Sequence, residues 1–294
     1  MKVGFIDFWD DFDVKNNFFI HLISSIYDNV LVTSPEDCDF LFFSCFGDSN
    51  LMNQYQNKKR IFYTGENLRR NEYLHKLNLM SNCDICLSFD LDEDDKKIRL
   101  PLWILQIDWF GKINYSNPLF TIHPDKIDDN IYYNKIKRKF CSIVYNGQST
   151  HRLEAINELS KYKLVDIYGN KYGNIGNGED KKLDVISEYK FNICFENSIY
   201  PGYYTEKPLH AKIAGCVPIY WSDENISVDF NYKAFINLSD FSNMKEMVNF
   251  IIEIDKDDFK FNKIKSENLF KGENHRLLFE TIVLKFKNKI DNLL

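Results

Sequence analysis

Residues 189–223 read YKFNICFENSIYPGYYTEKPLHAKIAGCVPIYWSD and predict a strand, a loop, a helix and a second strand in that order. The apolar run 191–195 has polar flanks, which is typical of a buried strand in a parallel sheet. Pro208 is tolerated in the first turn of the predicted helix, and Gly215 can end it with a left-handed residue before the strand 217–221. The stretch therefore predicts a βαβ unit with a helix of ~11 residues, about 16 Å long.

Polar side chains gather at the joints of this unit. We expect the burial to end at Glu196, and Thr205 to cap the helix. Ligands of parallel α/β sheets bind at this edge, close to helix N-termini. A carboxylate there can hold ribose hydroxyls and an ammonium can hold a diphosphate, although Glu206 and Lys207 also suit an ordinary helix start. The polar residues at this edge are Glu196, Asn197, Tyr203, Tyr204, Thr205, Glu206 and Lys207.

The whole string resembles the donor-binding signature of the α-1,3/4-fucosyltransferase family, glycosyltransferase family 10. That signature is similar to YKFxxxFENS, a short tyrosine-containing loop, YxTEK and a VPIYW-like strand, and it matches residues 189–221 without an obvious gap. The resemblance implies an α/β fold of GT-B type, with two Rossmann-like domains facing across a cleft. It also implies GDP-fucose as the donor, with Lys207 on the diphosphate, Glu206 on the ribose, and Asn197 and Tyr203 as further donor contacts.

A second candidate site follows the predicted strand 60–63, which ends in Thr64-Gly65-Glu66-Asn67. By itself such a sequence is as often a turn as a catalytic site. The family places its general base on a segment similar to FYTGEN, and Glu66 matches that position, with Asn67 beside it to orient the carboxylate. The resemblance thus implies an inverting transfer in which Glu66 takes the proton of an acceptor hydroxyl, by preference the 3-hydroxyl of a glycan, as GDP departs.

A third candidate is Arg152, in the first turn of a helix predicted after the strand 141–145, with Ser149 or Thr150 as its N-cap. Arginine on such a helix is usually surface charge. In the family a similarly placed arginine contacts the donor diphosphate, so the resemblance adds Arg152 to the donor-binding residues.

Two sequence patterns resemble metal sites, but the residues around each of them favour a different interpretation. Asp90 and Asp92 form Asp-x-Asp, but the flanking Lys96 and Lys97 favour a solvated loop. The run 83–86 has the spacing of half a zinc site and lacks a second pair. We therefore predict no metal site and no required cofactor.

Composition limits the classes of protein that the chain can belong to. Its 294 residues favour two domains, and 44% hydrophobic with 27% charged residues is ordinary for a globular protein. The net charge of −6 argues against non-specific binding to nucleic acid or anionic membrane. Seven scattered cysteines favour buried thiols over a disulfide framework. We predict an N-terminal acceptor-binding domain with a linker over 1–137, and a C-terminal GDP-sugar-binding domain over 138–294.

The remaining segments alternate strands and helices, which favours parallel sheets. Residues 110–139 lack clean periodicity and read as a linker that ends near Lys137. Residues 169–178 are predicted to form a glycine-rich loop. The sequence leaves two alternatives open, a mobile loop over the donor and an ordinary surface loop. Strands are predicted at 2–8, 29–33, 40–45, 83–89, 98–105, 164–168 and 235–238, and helices at 14–27, 244–254, 259–269 and 276–294.

The chain ends predict a cytoplasmic protein. Its first residues form a strand without a charged and apolar leader, and no apolar run approaches ~18 residues. The last predicted helix, 276–294, carries its apolar residues on one face. Peripheral contact with a membrane surface and packing across the seam between domains both produce this pattern.

Two alternatives to fucose transfer stay open. The residue pattern specifies a diphosphate and a ribose better than it specifies fucose, so another nucleotide sugar is one alternative. The second is a catalytically silent carbohydrate-binding protein with the same fold, against which the presence of both Glu66 and Lys207 argues. The acceptor glycan cannot be read from the sequence.

Overall fold

A computed structural model describes residues 1–48, 51–92, 94–111, 122–124, 127, 134–147, 149–169 and 179–294. The chain forms two compact units, Met1–Thr121 together with His275–Leu294, and Ile122–Asn274. Each unit contains one sheet in which all neighbouring strands run parallel. The α/β class predicted from the alternating pattern is confirmed.

The first unit contains a six-stranded sheet with the order β2-β1-β3-β4-β5-β6. Its central strand β3 is fully buried, because helices and turns cover both faces of a parallel sheet. Helix α1 is shorter than predicted, since the Asn17 side chain caps it by accepting a hydrogen bond from the Ile20 N–H. The strands are β1 Lys2–Ile6, β2 Leu31–Val32, β3 Phe40–Phe43, β4 Lys59–Tyr63, β5 Ile85–Ser88 and β6 Lys97–Arg99, and helix α1 is Phe18–Ser24.

Short 3₁₀ helices complete the first unit at Leu51–Tyr55, Leu74–Met80 and Leu102–Gln106. The last of them replaces most of the strand predicted over 98–105. Pro101 directly precedes it and has no N–H to give to a neighbouring strand, so the sheet pairing stops there.

The second unit contains a five-stranded sheet with the order β11-β10-β9-β7-β8. Strand β9 lies at its centre, with Ile193 opposite both Ile219 of β10 and Ile143 of β7. The strands are β7 Lys139–Val144, β8 Val165–Tyr168, β9 Tyr189–Ile193, β10 Val217–Tyr220 and β11 Ile236–Asn237. The helices are α2 Thr150–Ser160, α3 Glu179–Ile186, α4 Lys207–Ile213, α5 Met244–Lys256 and α6 Asp258–Ser266, and 3₁₀ helices lie at Glu224–Val228, Tyr232–Ala234 and Leu238–Asp240.

The last helix, α7 Asn274–Asp291, packs on the first unit. Its Phe279 ring stacks on Trp109 at 4.3 Å between centroids, and Tyr27 of the first unit donates a hydrogen bond of 2.6 Å to Asp291. The predicted boundary, which gave all of 138–294 to the second domain, is therefore wrong for this helix. Its sequence position follows the second unit, but its apolar face is buried against the first.

A helix on a membrane surface would turn its apolar face to the lipid. Most of that face of α7 is instead covered by protein, since Ile282, Phe286 and Ile290 are buried. Within the described parts of the chain, no helix combines the length and the apolar character that crossing a membrane requires. The predicted linker, 110–139, and the predicted glycine-rich loop, 169–178, lie largely outside the described residues.

Candidate functional site

The carboxylate of Glu196, just beyond β9, is only 1% exposed. Its Oε1 accepts hydrogen bonds from Thr205 N (3.0 Å), Thr205 Oγ1 (2.7 Å) and the Tyr220 hydroxyl (2.7 Å), and its Oε2 accepts one of 2.7 Å from Lys207 Nζ. The prediction that Glu196 ends the burial is wrong. A carboxylate can be buried here because four donors replace its water shell.

The start of α4 differs from the prediction for the same reason. Both the N–H and the hydroxyl of Thr205 are committed to Glu196, so Thr205 does not cap the helix. Glu206 occupies the N-cap position without a side-chain cap, and α4 has 7 residues. Pro208 lies in the first turn, and Gly215 follows the helix with a φ of +71°, both as predicted.

Lys207 is the cation at the centre of this site. Its Nζ lies 2.7 Å from Glu196 Oε2, 2.8 Å from Thr205 Oγ1 and 4.0 Å from Glu206 Oε1. Burial lowers the pKa of the ammonium, but the attraction of the two carboxylates outweighs it and the net pKa is raised. Lys207 therefore keeps its positive charge in a largely dry site.

Glu206 is held ionised by two lysines. Its Oε1 lies 4.0 Å from Lys207 Nζ and 4.0 Å from Lys182 Nζ, the latter on α3. Burial raises the pKa of the Glu206 carboxyl, but Lys207 and Lys182 outweigh it and bring the pKa to about 2. Lys182 Nζ also lies 2.8 Å from His210 Nδ1, within hydrogen-bond distance.

Lys182 and His210 were not identified from the sequence. Helix α3 follows the glycine-rich loop and its short polar sequence gives a weak helical signal. The contact between Lys182 and His210 joins residues 28 positions apart. The position of Lys182 within its own helix therefore does not indicate that it contacts His210.

Arg152 lies in the first turn of α2, as predicted, and is buried. Its guanidinium donates to the Phe195 carbonyl from Nε (3.1 Å) and Nη2 (2.6 Å), and to the Gly147 carbonyl from Nη1 (3.0 Å). These bonds fix the backbone that delivers Glu196. That Arg152 contacts the donor diphosphate stays a prediction.

The loop between β9 and α4 folds back onto the same edge of the sheet. Tyr203 is buried and its N–H donates to the Tyr200 carbonyl at 2.9 Å, while Asn197 is half-buried. The Tyr204 hydroxyl bonds the Asp223 carboxylate. Gly202 takes a φ of +85° in the predicted Pro-Gly turn, which glycine adopts without strain.

Glu66 lies in the first unit, three residues after β4. The Thr64 hydroxyl bonds both the N–H and the carbonyl of Glu66 at 3.0 Å, which fixes the turn. The Asn67 side chain is buried and accepts a hydrogen bond of 3.1 Å from the Arg69 N–H, so it holds the backbone of the turn. The Glu66 carboxylate is 26% exposed and lies 3.8 Å from Arg70 Nη1.

The Asp-x-Asp motif is divided between two environments. Asp92 is exposed and paired with Lys97 at 2.6 Å, as predicted for a solvated loop. Asp90 is buried at the end of β5 and paired with Arg69 at 3.0 Å, so the prediction is wrong for that residue. Among the described residues, which omit 93, no three His, Cys, Asp or Glu side chains are grouped to hold a metal ion. All seven cysteines are buried free thiols, as predicted.

Two sequence models of one family match this chain. The model of the glycosyltransferase family 10 (fucosyltransferase) C-terminal region matches residues 133–266, and that of the α-(1,3)-fucosyltransferase FucT N-terminal domain matches residues 3–106. The chain belongs to this family. The matched regions include the turn that carries Glu66 and the network around Glu196 and Lys207.

Relatives in the family share the sequence over much of this chain. The α-(1,3)-fucosyltransferase FucT of Helicobacter pylori is 30% identical over 281 residues, which cover 85% of this chain and 56% of that protein. The chain thus spans about half the length of that relative.

Solved structures show the same fold. A crystal structure of an α1,3-fucosyltransferase superposes with a TM-score of 0.74 at 25% identity, covering 99% of this chain and 90% of that one. A structure of α1,3-fucosyltransferase with GDP-fucose gives 0.66 at 26% identity, covering 96% and 90%. This family member therefore has the α/β fold of GT-B type, with two Rossmann-like domains.

Proposed function

We propose that the chain is an inverting glycosyltransferase that moves fucose from GDP-fucose to a hydroxyl of a glycan acceptor, by preference a 3-hydroxyl. The observation that carries the proposal is the buried network in which Glu196 and Thr205 hold Lys207 beside Glu206. Its support comes from a family named for fucosyltransferases and from a solved relative with GDP-fucose.

The donor diphosphate would bind at Lys207. An ammonium has three N–H donors, of which Glu196 and Thr205 use two, so one is left for a phosphate oxygen. Because the ammonium is already fixed by these bonds, its charge stabilises the departing diphosphate without reorganisation. Arg152 would support this site through the backbone at Phe195.

The ribose of the donor would bind at Glu206. Its carboxylate stays ionised at any physiological pH, so it can accept hydrogen bonds from both ribose hydroxyls. Asn197 and Tyr203, from the loop that follows β9, are the further residues that we assign to the donor.

The acceptor hydroxyl would be deprotonated by Glu66. A carboxylate that is 26% exposed and fixed through its own backbone can accept a proton within hydrogen-bond reach. The hydroxyl then attacks the anomeric carbon through an oxocarbenium-like state while GDP leaves from the opposite face. One displacement inverts the anomeric configuration, and the fixed cations of the second unit take the place of a required metal cofactor.

A transfer assay tests this proposal. The purified chain is incubated with GDP-fucose or with UDP-, ADP- and other GDP-sugars, and with an array of glycans that contain N-acetylglucosamine or glucose. We expect transfer from GDP-fucose, with an inverted linkage to the 3-hydroxyl by NMR. Transfer from a different donor would identify another nucleotide-sugar transferase. Glycan binding with neither transfer nor donor hydrolysis would identify a silent binding protein.

A further inference from the structure

The Glu206 carboxylate lies at the same distance from two ammonium groups. Its Oε1 is 4.0 Å from Lys207 Nζ and 4.0 Å from Lys182 Nζ. Both distances are too long for a hydrogen bond, so neither lysine takes up a lone pair of this oxygen. The side chains of Lys182 and Glu206 are only 15% and 16% exposed, and charges attract each other more strongly where water is scarce.

The two ammonium groups are anchored at different places. Lys207 Nζ donates to the Glu196 carboxylate at 2.7 Å, whereas Lys182 Nζ lies 2.8 Å from Nδ1 of His210, a fully buried residue of α4. The His210 N–H donates to the Glu206 carbonyl at 2.9 Å, so these two residues lie one helical turn apart on the same side. Lys182 therefore reaches Glu206 from α3 and is held by the next turn of the helix that Glu206 begins.

Helix α3, which carries Lys182, is joined to α4 at its C-terminal end. Lys137 Nζ donates to the carbonyls of Ser187, just beyond α3, and of Ala214, just beyond α4, at 2.7 Å each. Ile186, the last residue of α3, is fully buried. Lys182 lies one turn before this junction, so its backbone cannot shift relative to α4 without breaking these contacts.

This arrangement fixes the orientation of the Glu206 carboxylate. A carboxylate attracted by one cation can rotate about that contact, whereas two cations anchored at different places favour one orientation. Without Lys182, attraction to Lys207 alone would draw Glu206 Oε1 towards the ammonium that we assign to the diphosphate. The carboxylate would then be turned away from the ribose hydroxyls that it is proposed to bind.

A purely structural ion pair explains these contacts less well. Lys182 and Glu206 are largely buried, and the His210 side chain is fully buried. Apolar residues of similar volume often stabilise a fold as well as a buried ion pair does, because desolvation of the charges costs free energy. The location of these groups beside the residue that we assign to the ribose points instead to a role in donor binding.

We propose that Lys182 is a positioning residue for the donor, which keeps the Glu206 carboxylate directed at the ribose hydroxyls and apart from Lys207. Through Glu206, it determines how strongly the protein prefers a ribonucleotide donor to the 2′-deoxy form. The inference rests on the proposed function, because the contact between Glu206 and the ribose belongs to that function.

The affinities for GDP and 2′-deoxy-GDP, measured by calorimetry, test this role. The 2′-deoxy form lacks one of the two ribose hydroxyls, and the loss of one hydrogen bond to a charged group should make the parent prefer GDP by about tenfold or more. Lys182→Met should weaken GDP binding by about tenfold and 2′-deoxy-GDP binding by no more than about threefold. A damaged fold would weaken both nucleotides alike, so an unchanged preference in this variant would overturn the proposal.

Two further variants separate the charge of Lys182 from its packing. Lys182→Gln keeps a polar group near His210 and removes the charge, so it should lose the preference for GDP as Lys182→Met does. Lys181→Met, the matched control, changes an exposed lysine next to it in α3 and should bind both nucleotides like the parent. A preference retained in Lys182→Gln, or lost in Lys181→Met, would contradict a role for the Lys182 charge.

A double-mutant cycle shows whether Lys182 acts through Glu206. In the Glu206→Gln background, Lys182→Met should change neither affinity by more than about twofold, because the group that it positions is already altered. An equal loss of GDP affinity with and without the Glu206 carboxylate would overturn the positioning role.

The same measurements separate this inference from the proposed function, because they need neither fucose nor an acceptor. A parent that prefers GDP to 2′-deoxy-GDP through Lys182 but transfers no fucose would support the inference and contradict the proposed reaction. A parent that transfers fucose while Lys182→Met keeps the full preference would contradict the inference and leave the reaction intact. A parent that binds neither nucleotide would overturn both.

Discussion

The Glu196 carboxylate at the end of β9 is buried and accepts four hydrogen bonds, whereas the Glu66 carboxylate beyond β4 is 26% exposed and lies 3.8 Å from Arg70. A second pair of carboxyl groups, Glu206 in the second unit and Asp7 just after β1 in the first, differs in pKa. Two lysines bring the pKa of Glu206 to about 2, while burial raises that of Asp7 to about 6.

The two kinds of carboxylate suit different tasks, one the binding of a charged ligand and the other proton transfer. A carboxylate whose lone pairs are filled by fixed donors holds a charge in place, which suits the recognition of a charged nucleotide. A carboxylate with spare acceptor capacity can take a proton or bind a neutral sugar. In the proposed function, the sheet of the second unit would therefore serve the donor, and that of the first unit the acceptor and the proton transfer.

Glu66→Gln should have the largest effect on turnover. The amide keeps the shape of the side chain but cannot act as a base, so kcat should fall by about 100- to 10,000-fold. GDP affinity, measured by calorimetry, should stay near that of the parent, because the proposed donor contacts belong to the second unit.

Glu72→Gln is the control for Glu66. Glu72 lies in the same segment and pairs with Arg70 at 2.5 Å, and its side chain is 55% exposed. Its variant should turn over like the parent. If Glu72→Gln were the slow variant and Glu66→Gln stayed within about threefold of the parent, the base would be Glu72.

Lys207→Met should lower kcat by about 100-fold or more, because one preorganised cation at the diphosphate is lost. The same change leaves Glu196 buried with one partner fewer, so the free energy of unfolding should also fall. The double variant Lys207→Met with Glu196→Gln should recover part of that stability in urea unfolding, but none of the activity. Lys181→Met, an exposed lysine on α3, provides the control. Recovery of turnover in the double variant would show that Lys207 acts only by neutralising Glu196.

Stability as a function of pH should show opposite signs at the two sites. The folded pKa of Asp7, about 6, lies above its ordinary 3.8, so ionisation costs stability as the pH rises from about 4 to 6. Asp7→Asn should therefore gain stability relative to the parent between pH 3 and pH 8, by about 1 to 2 kcal/mol, because solvent screening at this half-buried group reduces the effect.

Glu206→Gln should change in the other direction. The folded pKa of about 2 lies below the ordinary 4.5, so the stabilisation is present above about pH 4.5 and is lost as the pH falls towards 2. The variant should lose about 1 to 3 kcal/mol at pH 7 and resemble the parent near pH 2. Chemical unfolding across this range measures both effects. A change of the same sign in the two variants would contradict the opposite pKa shifts of Asp7 and Glu206.

Chelation should have the smallest effect. Lys207 and Lys182 already bring positive charge to the proposed donor site, so EDTA should leave the transfer rate within about twofold of the untreated protein. Abolition of activity by the chelator, with recovery on addition of one divalent ion, would show that a metal shares the work that we assign to these lysines.

Local sequence signals predicted the elements on which the site rests. The apolar run of β9, Pro208 in the first turn of α4 and Gly215 after it each act within a few residues, and the structure confirms them. The burial of Glu196 could not be predicted in this way. A glutamate in a polar flank normally faces water, and the partners that make it an exception lie 9, 11 and 24 residues further along the chain.

The sequence by itself determined most of the strands and helices, the turn glycines and the resemblance that points to the family, because these depend on neighbouring residues. Only the tertiary structure decided which charges meet. Pairing of β9 with β10 brings Tyr220 to Glu196, α3 brings Lys182 to Glu206, and α7 returns to the first unit. Whether a carboxylate is buried, ionised or ready to accept a proton depends on such distant partners, since desolvation and nearby charge set its pKa.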